Sequence, residues 1–192
     1  MLVTELDVYN SHVFCWDRRR DLETNKGDDM ENAAPSVAYH LYEMGITQAP
    51  SDPRRIVPHY PCSGWKVLDV GCGIGQTLVA PELRAAAELH GIDVNADAIR
   101  YGQDAHRHLH LQHARAEAIP YPSEYFDLTY SRVSLPYTNI PVALAEIRRV
   151  TKPGGHVWLT LHPWRLEAGH MWTAIKTLNV KRLIDRLYVC LN

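Results

Sequence analysis

Short apolar runs alternate with helical segments from Trp65 onward, whereas residues 1–65 mix polar, aromatic and turn-forming stretches. Apolar runs of this length between turn residues predict buried strands, and their alternation with helices predicts a parallel sheet covered on both faces. We place helices near residues 75–84, 96–106 and 139–150. The predicted strands lie at 66–70, about 86–93, 109–114, 125–131 and 156–162.

This pattern predicts an α/β fold, a Rossmann-like doubly wound parallel sheet with strand order 3-2-1-4-5. Crossovers between parallel strands are right-handed, which places the ligand crevice at the carboxyl end of the first strand. Residues 66–192 are expected to form this domain. Residues 1–65 are expected to be an N-terminal helical extension and a candidate lid, with helices near 4–20 and 31–45 and Gly45 as a helix stop.

The amino-acid composition and net charge limit the classes of function that this chain is expected to have. Of the 192 residues, 46% are hydrophobic and 22% charged, as in ordinary globular proteins, and the net charge of −2 does not favour nucleic-acid binding. No apolar run of membrane-spanning length is visible and the N-terminus is acidic, so we expect a cytoplasmic protein without membrane association. The four cysteines have no ligand spacing and are expected to be reduced thiols.

The segment VLDVGCGIG at 67–75 runs an apolar strand into three glycines, and glycine lets a ligand approach the backbone closely. The spacing is G-x-G-x-G, and Gln76 stands where a dinucleotide fingerprint needs a small residue. Asp69 would repel a pyrophosphate but attract a sulfonium and an ammonium group. These features favour S-adenosylmethionine over a nicotinamide cofactor or a generic strand-to-helix turn.

Asp93 ends the segment HGID at 90–93, about 20 residues beyond the glycines. A carboxylate at the tip of the neighbouring strand accepts hydrogen bonds from both ribose hydroxyls of an adenosine. This feature suits either cofactor class. Asn95 is expected to cap the next helix.

Four segments together resemble class I S-adenosylmethionine-dependent methyltransferases, especially the branch of ubiquinone and menaquinone biosynthesis methyltransferases. They are VLDVGCGIG at 67–75, GIDVNADAI at 91–99, ARAEAIPYPSEYFDLTYSR at 114–132 and ALAEIRRVTKPGG at 143–155. They follow the order and spacing of the family and cover about half the chain. Thr151 to Gly155 would be the turn that leads into the fifth strand.

The resemblance implies a set of cofactor-binding residues. The backbone of the glycine segment would contact the methionine part, Asp93 the ribose and Val94 an adenine face, while Ala116 and Glu117 would lie at the adenine edge. Ser131 would line the methionyl side. The predicted set is therefore Asp69, Gly71, Cys72, Gly73, Gly75, Asp93, Val94, Ala116, Glu117 and Ser131.

Two departures from the family pattern stand out. Arg115 occupies a position where the family commonly has an acid that accepts from the adenine amino group, and arginine is a donor only. Family members also continue past the fifth strand with a helix and an antiparallel hairpin, of which only a helical pattern at 171–192 is visible. We expect a truncated chain, or a homodimer or partner that covers the edge of the fifth strand.

Methyl transfer is an in-line displacement at an activated sulfonium, so positioning and exclusion of water matter more than a general base. Candidate catalytic residues are Tyr137 and Arg132, which would orient an acceptor, and His162, which would transfer a proton. Alternatively, Tyr137 packs on the next helix, Arg132 pairs with an acid and His162 packs in a loop. The histidine-rich run at 106–113 lacks a complete ligand set, so we predict no metal site.

The sequence therefore predicts an S-adenosylmethionine-dependent methyltransferase acting on a small-molecule acceptor. The alternative is a non-catalytic S-adenosylmethionine-binding protein of the same fold that acts through a partner subunit.

Overall fold

A six-stranded parallel sheet organises the protein in the computed structural model, which describes residues 6–8 and 35–161. The sheet order is β1-β6-β5-β2-β3-β4, so β2 to β6 have the predicted order 3-2-1-4-5 and the fold class is confirmed. The strands β1 to β6 are Leu6–Val8, Lys66–Val70, Glu88–Asp93, His110–His113, Phe126–Arg132 and Thr151–Thr160.

Both faces of the sheet are buried, as expected for strands that read as continuous apolar runs. In β2, Val67 packs on one face with Leu128 and Tyr130. Its neighbours Leu68 and Val70 pack on the opposite face. The carboxyl ends of β2, β3 and β5 consequently form one edge above a rigid core.

Three α-helices belong to the described part of the chain: α1 at Pro35–Gln48, α2 at Ala96–Ala105 and α3 at Ile140–Val150. The side chain of Asn95 accepts hydrogen bonds from the first turn of α2, and Asn139 caps α3 in the same way. The predictions for α2 and α3 are confirmed to within one residue at each end.

The helix predicted at 75–84 is wrong. The chain forms turns there, followed by a short 3-10 helix at Pro81–Leu83. Ala80 adopts an extended conformation with φ −61° and ψ 142°, because the ring of a proline excludes the helical region for the residue before it. Pro81 therefore ends any helix that begins at the glycines.

The N-terminal extension also differs from its prediction. Where we expect a helix near 4–20, Leu6–Val8 forms β1 and pairs with β6 in parallel over Val157 to Leu159. The strand edge predicted to need a partner subunit is therefore occupied by the chain itself at these three positions. The helix predicted at 31–45 is α1, which continues through Gly45 because Ile46 and Thr47 are buried beyond it.

The start of β6 is at Thr151 rather than at residue 156. Phe126 pairs with Thr151 but Leu128 pairs with His156, so the turn predicted at Thr151 to Gly155 is a bulge inside the strand. The helical pattern at 171–192 and the question of the final hairpin lie outside the described residues. Among the described helices, none has the length and apolarity to cross a bilayer.

Candidate cofactor cleft

The glycine loop after β2 is held against the end of β3. The backbone N–H groups of Gly71 and Cys72 both donate to the carbonyl of Ile92, at 2.8 and 3.0 Å. The N–H of Gly73 donates to Asp93 Oδ2 at 2.8 Å. Two neighbouring strand ends are thus joined into one platform by main-chain groups, which explains why the loop keeps a single shape.

Side chains from elsewhere in the fold lie directly against this loop. A Cβ at Gly71, which has φ +85°, would be 2.3 Å from Cβ of Ser134. A Cβ at Gly73, which has φ +55°, would be 2.3 Å from Nδ1 of His40. Both positions need glycine, because each combines a left-handed backbone with a close neighbour.

A cleft of about 270 Å³ opens beside the loop, at the carboxyl ends of β2 and β3. This is the crevice that a doubly wound sheet provides for ligands. Of the predicted residues it brings together Gly71, Asp93, Val94, Ala116, Glu117 and Tyr137. The remaining lining residues are Val70, Ile92, Ala114, Arg115, Ser134 and Thr138.

Asp93 lies in this cleft with both carboxylate oxygens engaged by the main chain. Oδ2 accepts from Gly73 N–H and Oδ1 accepts from Asn95 N–H, each at 2.8 Å. Every carboxylate oxygen has a second lone pair. Asp93 is therefore oriented by the loop and can still accept hydrogen bonds from a diol.

Glu117 and Arg115 form the opposite end of the cleft. Glu117 Oε1 accepts from Asn139 N–H at 2.8 Å, and Arg115 lies 3.4 Å away. These contacts, the Asn139 N–H first, lower the pKa of Glu117, so it is an anionic acceptor at neutral pH. The Arg115 side chain is 71% exposed and stands at the rim, beside the acid it pairs with.

Asp69 is buried and does not line the cleft. Among the described residues its Oδ1 has no hydrogen-bond partner, and neither has the hydroxyl of Tyr130, which is opposite Asp69 in the sheet. Burial raises the pKa of Asp69 to about 7, although Arg132 and Tyr130 act in the opposite direction. The Asp69 carboxyl and the Tyr130 hydroxyl are thus near each other, but Oδ1 of Asp69 has no hydrogen bond within the described residues.

The candidate catalytic residues have different surroundings. Tyr137 is 56% exposed on the cleft wall, where it is available to a ligand. Arg132 is mostly buried and donates to Glu43 of α1 at 2.7 Å, the pairing with an acid that we considered as its alternative role. His162 lies outside the described residues.

The loop after β5 places Ser134, not Ser131, in the cleft. Ser131 is fully buried and its hydroxyl contacts that of Ser134 at 2.6 Å. Ser134 Oγ also donates to the carbonyl of Val70 at 2.6 Å. Val133 between them has φ +54°, rare for a β-branched residue. This turn directs Ser134 toward the loop, and no local sequence signal indicates it.

Two residues of the predicted set, Cys72 and Gly75, pack against the core and do not line the cleft. The side chain of Cys72 is buried in the core, and burial raises the pKa of its thiol, so only its backbone belongs to the loop. A Cβ at Gly75 would be 2.7 Å from Leu109, which makes this glycine a close contact beneath the loop.

The histidine-rich run is divided among unrelated contacts. His110 stacks on His90, His113 Nε2 contacts the Val94 carbonyl at 3.0 Å, and His106 packs edge-on against His108. Within residues 6–8 and 35–161, no three metal-ligating side chains gather into a group that could hold an ion.

The residues present fit a cofactor with an adenosine and a cationic amino-acid arm. An oriented carboxylate and an apolar cleft suit the adenosine. The buried, unpartnered oxygen of Asp69 suits a cation and would repel a phosphate. The fold and the cleft therefore define a Rossmann-like domain with a cleft that suits a nucleoside.

Comparisons with known proteins agree with this geometry. Residues 68–159 match the family described as a methyltransferase domain. The chain is 35% identical over 155 residues to the ubiquinone/menaquinone biosynthesis C-methyltransferase UbiE of Burkholderia multivorans, a match that covers 77% of this chain and 58% of the relative. The chain thus spans 58% of the length of this relative.

One further relative and one solved structure are similar to parts of the chain, the structure in its fold alone. Over 49% of this chain and 38% of the relative, the sequence is 35% identical to a malonyl-[acyl-carrier protein] O-methyltransferase of Erwinia billingiae. The crystal structure of YcgJ from Bacillus subtilis has the same fold, with a TM-score of 0.52 and 23% identity over 60% of this chain and 54% of that one. The methyltransferase-domain match and these relatives support the prediction of a class I S-adenosylmethionine-dependent methyltransferase domain with S-adenosylmethionine as its cofactor.

Proposed function

We propose that this chain binds S-adenosylmethionine in the cleft beside the glycine loop and transfers its methyl group to a small-molecule acceptor. The observation that carries the proposal is the carboxylate of Asp93, which two main-chain N–H groups orient at the floor of the cleft. In this arrangement Asp93 accepts from the ribose hydroxyls, Val94 and Ala116 contact the adenine, and Glu117 is an acceptor at its edge.

The cationic part of the cofactor is assigned to the other side of Asp93, toward the glycine loop and Asp69. Asp69 is buried near this loop with an unpartnered oxygen. An ionised carboxylate in a site with little water attracts a cation more strongly than an exposed one. When bound, the cofactor supplies a methyl group already activated by its sulfonium. The residues of the chain bind and orient it.

The acceptor is proposed to enter beside Tyr137, whose exposed ring forms one wall of the cleft. Tyr137 is placed to orient the acceptor. The role of Arg132 would be indirect, since Glu43 already holds its guanidinium. The proposed proton transfer by His162 rests on the sequence alone. Because the UbiE relatives are named C-methyltransferases, activated carbon acceptors are the first class to test.

The N-terminal extension is proposed to act as a cover for the cofactor site. In support, Val37 and Leu41 of α1 pack in one cluster with Ile74 of the glycine loop and Ala98 of α2. The ion pair between Glu43 and Arg132 joins the same helix to the end of β5. Residues 1–65 would thus exclude water from the methionine end, while residues 66–192 would supply the methyltransferase domain.

The experiment is calorimetric binding of S-adenosylmethionine and S-adenosylhomocysteine to the full chain, followed by a homocysteine-release screen over carbon, oxygen and nitrogen acceptors. We expect micromolar binding, lost by roughly a hundredfold in Asp93→Ala because two hydroxyl contacts disappear. Asp104→Asn, an exposed acid of α2, is the matched control. Absence of cofactor binding would contradict the proposal, and binding without turnover on any acceptor would favour the non-catalytic alternative.

A further inference from the structure

A histidine from the N-terminal extension lies against the cofactor platform. The Nδ1 atom of His40 on α1 would be 2.3 Å from a Cβ at Gly73. Gly73 N–H in turn donates to Asp93. Neither Gly73 nor His40 lines the 270 Å³ cleft. Because Gly73 N–H donates to Asp93, His40 lies next to the residue that is proposed to bind the ribose, just outside the cleft.

The hydrogen bonds of Gln76 determine which ring nitrogen of His40 carries the proton. Gln76 Oε1 accepts from Ile74 N–H at 3.1 Å, so the amide nitrogen of Gln76 must face the histidine. That nitrogen lies 3.3 Å from His40 Nδ1 and can only donate. Nδ1 is therefore the acceptor, and in the neutral ring the proton is on Nε2.

The charges around His40 favour a neutral ring with a free donor. Burial is the largest influence on the pKa of His40 and lowers it, while Asp93 and Glu43 oppose this effect. Arg132, the nearby cation, already donates to Glu43. Among the described residues no hydrogen bond is formed by His40 Nε2. Next to Asp93, the Nε2–H group of His40 is thus a hydrogen-bond donor without a partner among the described residues, and only an acceptor can pair with it.

We propose that His40 donates its Nε2–H to the carboxylate at the amino-acid end of bound S-adenosylmethionine, which makes α1 a part of the cofactor site. The inference rests on the proposed function and extends it to a residue outside the segment that matches the methyltransferase domain. The charged groups of the amino-acid arm would then contact different residues. Asp69 would face the cationic groups, and His40 would face the carboxylate.

The test compares two ligands that differ only in this arm. S-adenosylhomocysteine has the amino-acid carboxylate, whereas 5′-methylthioadenosine has none. His40→Phe keeps a ring against Gly73 but removes the donor, so we expect it to weaken S-adenosylhomocysteine binding roughly tenfold and leave 5′-methylthioadenosine binding unchanged in calorimetry. His40→Gln places an amide near the Nε2 position and is expected to restore most of the lost affinity.

The controls separate this contact from a structural role. His108→Ala, an exposed histidine before β4, is expected to change neither affinity. Equal weakening of both ligands by His40→Phe, or no weakening of either, would overturn the inference while the wild-type binding keeps the proposed function intact. Failure of the wild type to bind S-adenosylhomocysteine would refute both. If His40→Phe does not fold, His40→Gln is compared with His40→Asn, whose amide lies near the Nδ1 position instead. Tighter S-adenosylhomocysteine binding by His40→Gln supports the inference, and equal binding by the two variants contradicts it.

Discussion

Asp69 is the residue at which burial and charge conflict most strongly. Its carboxyl group is removed from water, and among the described residues Oδ1 has no hydrogen bond. An unpaired buried charge is unfavourable in the free protein, because burial disfavours the ionised form. A bound cation would remove that penalty, so Asp69 links the stability of the protein to the binding of its cofactor.

Asp69→Asn is expected to weaken S-adenosylmethionine binding at pH 8 by roughly tenfold, since one charged contact is lost. S-adenosylhomocysteine has no sulfonium charge and should lose less. In the wild type, the pKa near 7 means that the carboxyl is increasingly protonated below pH 7. The affinity for S-adenosylmethionine should therefore fall as the pH decreases from 8 to 6, and the variant should not show this dependence in calorimetry.

The stability of the same variant provides its control. The pKa of Asp69 is raised above its unfolded value of 3.8, so the folded state binds the proton more tightly and loses stability as the pH rises from about 4 to 7. Asp69→Asn has no such loss and should be at least as stable as the wild type at pH 8 in urea denaturation. A less stable variant would show that the carboxylate has a partner in the free protein.

Arg115 provides a second prediction at the residue scale. Its guanidinium cannot accept a hydrogen bond and it pairs with Glu117 at the adenine end of the cleft. Arg115→Asp supplies an acceptor and removes the competitor for Glu117, so we expect tighter binding of S-adenosylmethionine in calorimetry. Arg115→Ala, which only removes the competitor, should lie between the two. Equal or weaker binding by Arg115→Asp would contradict the placement of the adenine.

At the scale of elements, the glycine loop and the loop after β5 depend on each other. Gly71→Ala adds a Cβ that would meet Ser134 at 2.3 Å, whereas Gly64→Ala adds one with no atom within 4 Å, and both glycines have positive φ. We expect Gly64→Ala to lower the free energy of unfolding by about 1–2 kcal/mol through backbone strain alone. Overpacking should make Gly71→Ala about 1–3 kcal/mol worse than that.

Urea denaturation of the two variants measures this difference directly. The backbone change is the same in both, so a difference between them reports the contact with Ser134. Equal losses would mean that the two loops separate easily and that the positions of Ser134 and Gly71 are not coupled.

The attachment of α1 to the sheet rests in part on one ion pair. Glu43 and Arg132 are 2.7 Å apart, and their side chains are 18% and 10% exposed. Glu43→Gln removes the charge that pairs with the Arg132 guanidinium, so we expect a loss of about 2 kcal/mol in the free energy of unfolding. Asp97→Asn, which breaks the exposed pair with Arg100, should have no measurable effect. Similar small effects of both variants would show that α1 is not held by this pair.

At the scale of the whole molecule, β1 covers part of the edge of β6. Open strand edges promote pairing between molecules, and a proline removes a ladder donor. Along β1, only every second residue directs its backbone N–H toward β6. We therefore compare Asp7→Pro with Val8→Pro, since only one of them removes a hydrogen bond to β6. One of them should shift the protein toward larger, concentration-dependent species in size-exclusion light scattering. Unchanged masses for both would mean that β1 does not protect the edge.

Much of the fold and part of the site could be predicted from local pattern. The order of β2 to β6 and the bounds of α2 and α3 follow from apolar periodicity, and the cleft positions of Gly71 and Asp93 follow from the glycine motif and its spacing. The cleft positions of Val94, Ala116 and Glu117 were implied by the family resemblance. The helix expected at 75–84 failed because one proline outweighed the periodicity. The pairing of β1 with β6 joins residues 151 positions apart, and no local pattern encodes such a contact.

By itself, the sequence determined the parallel sheet, the glycine loop and the cofactor class, because strands, turns and strand-end carboxylates are specified by neighbours along the chain. Only the tertiary structure decided which side chains reach the loop. It placed Ser134 rather than Ser131 in the cleft, tied Arg132 to Glu43 and set His40 against Gly73. These contacts join distant segments, and packing of the whole core selects them.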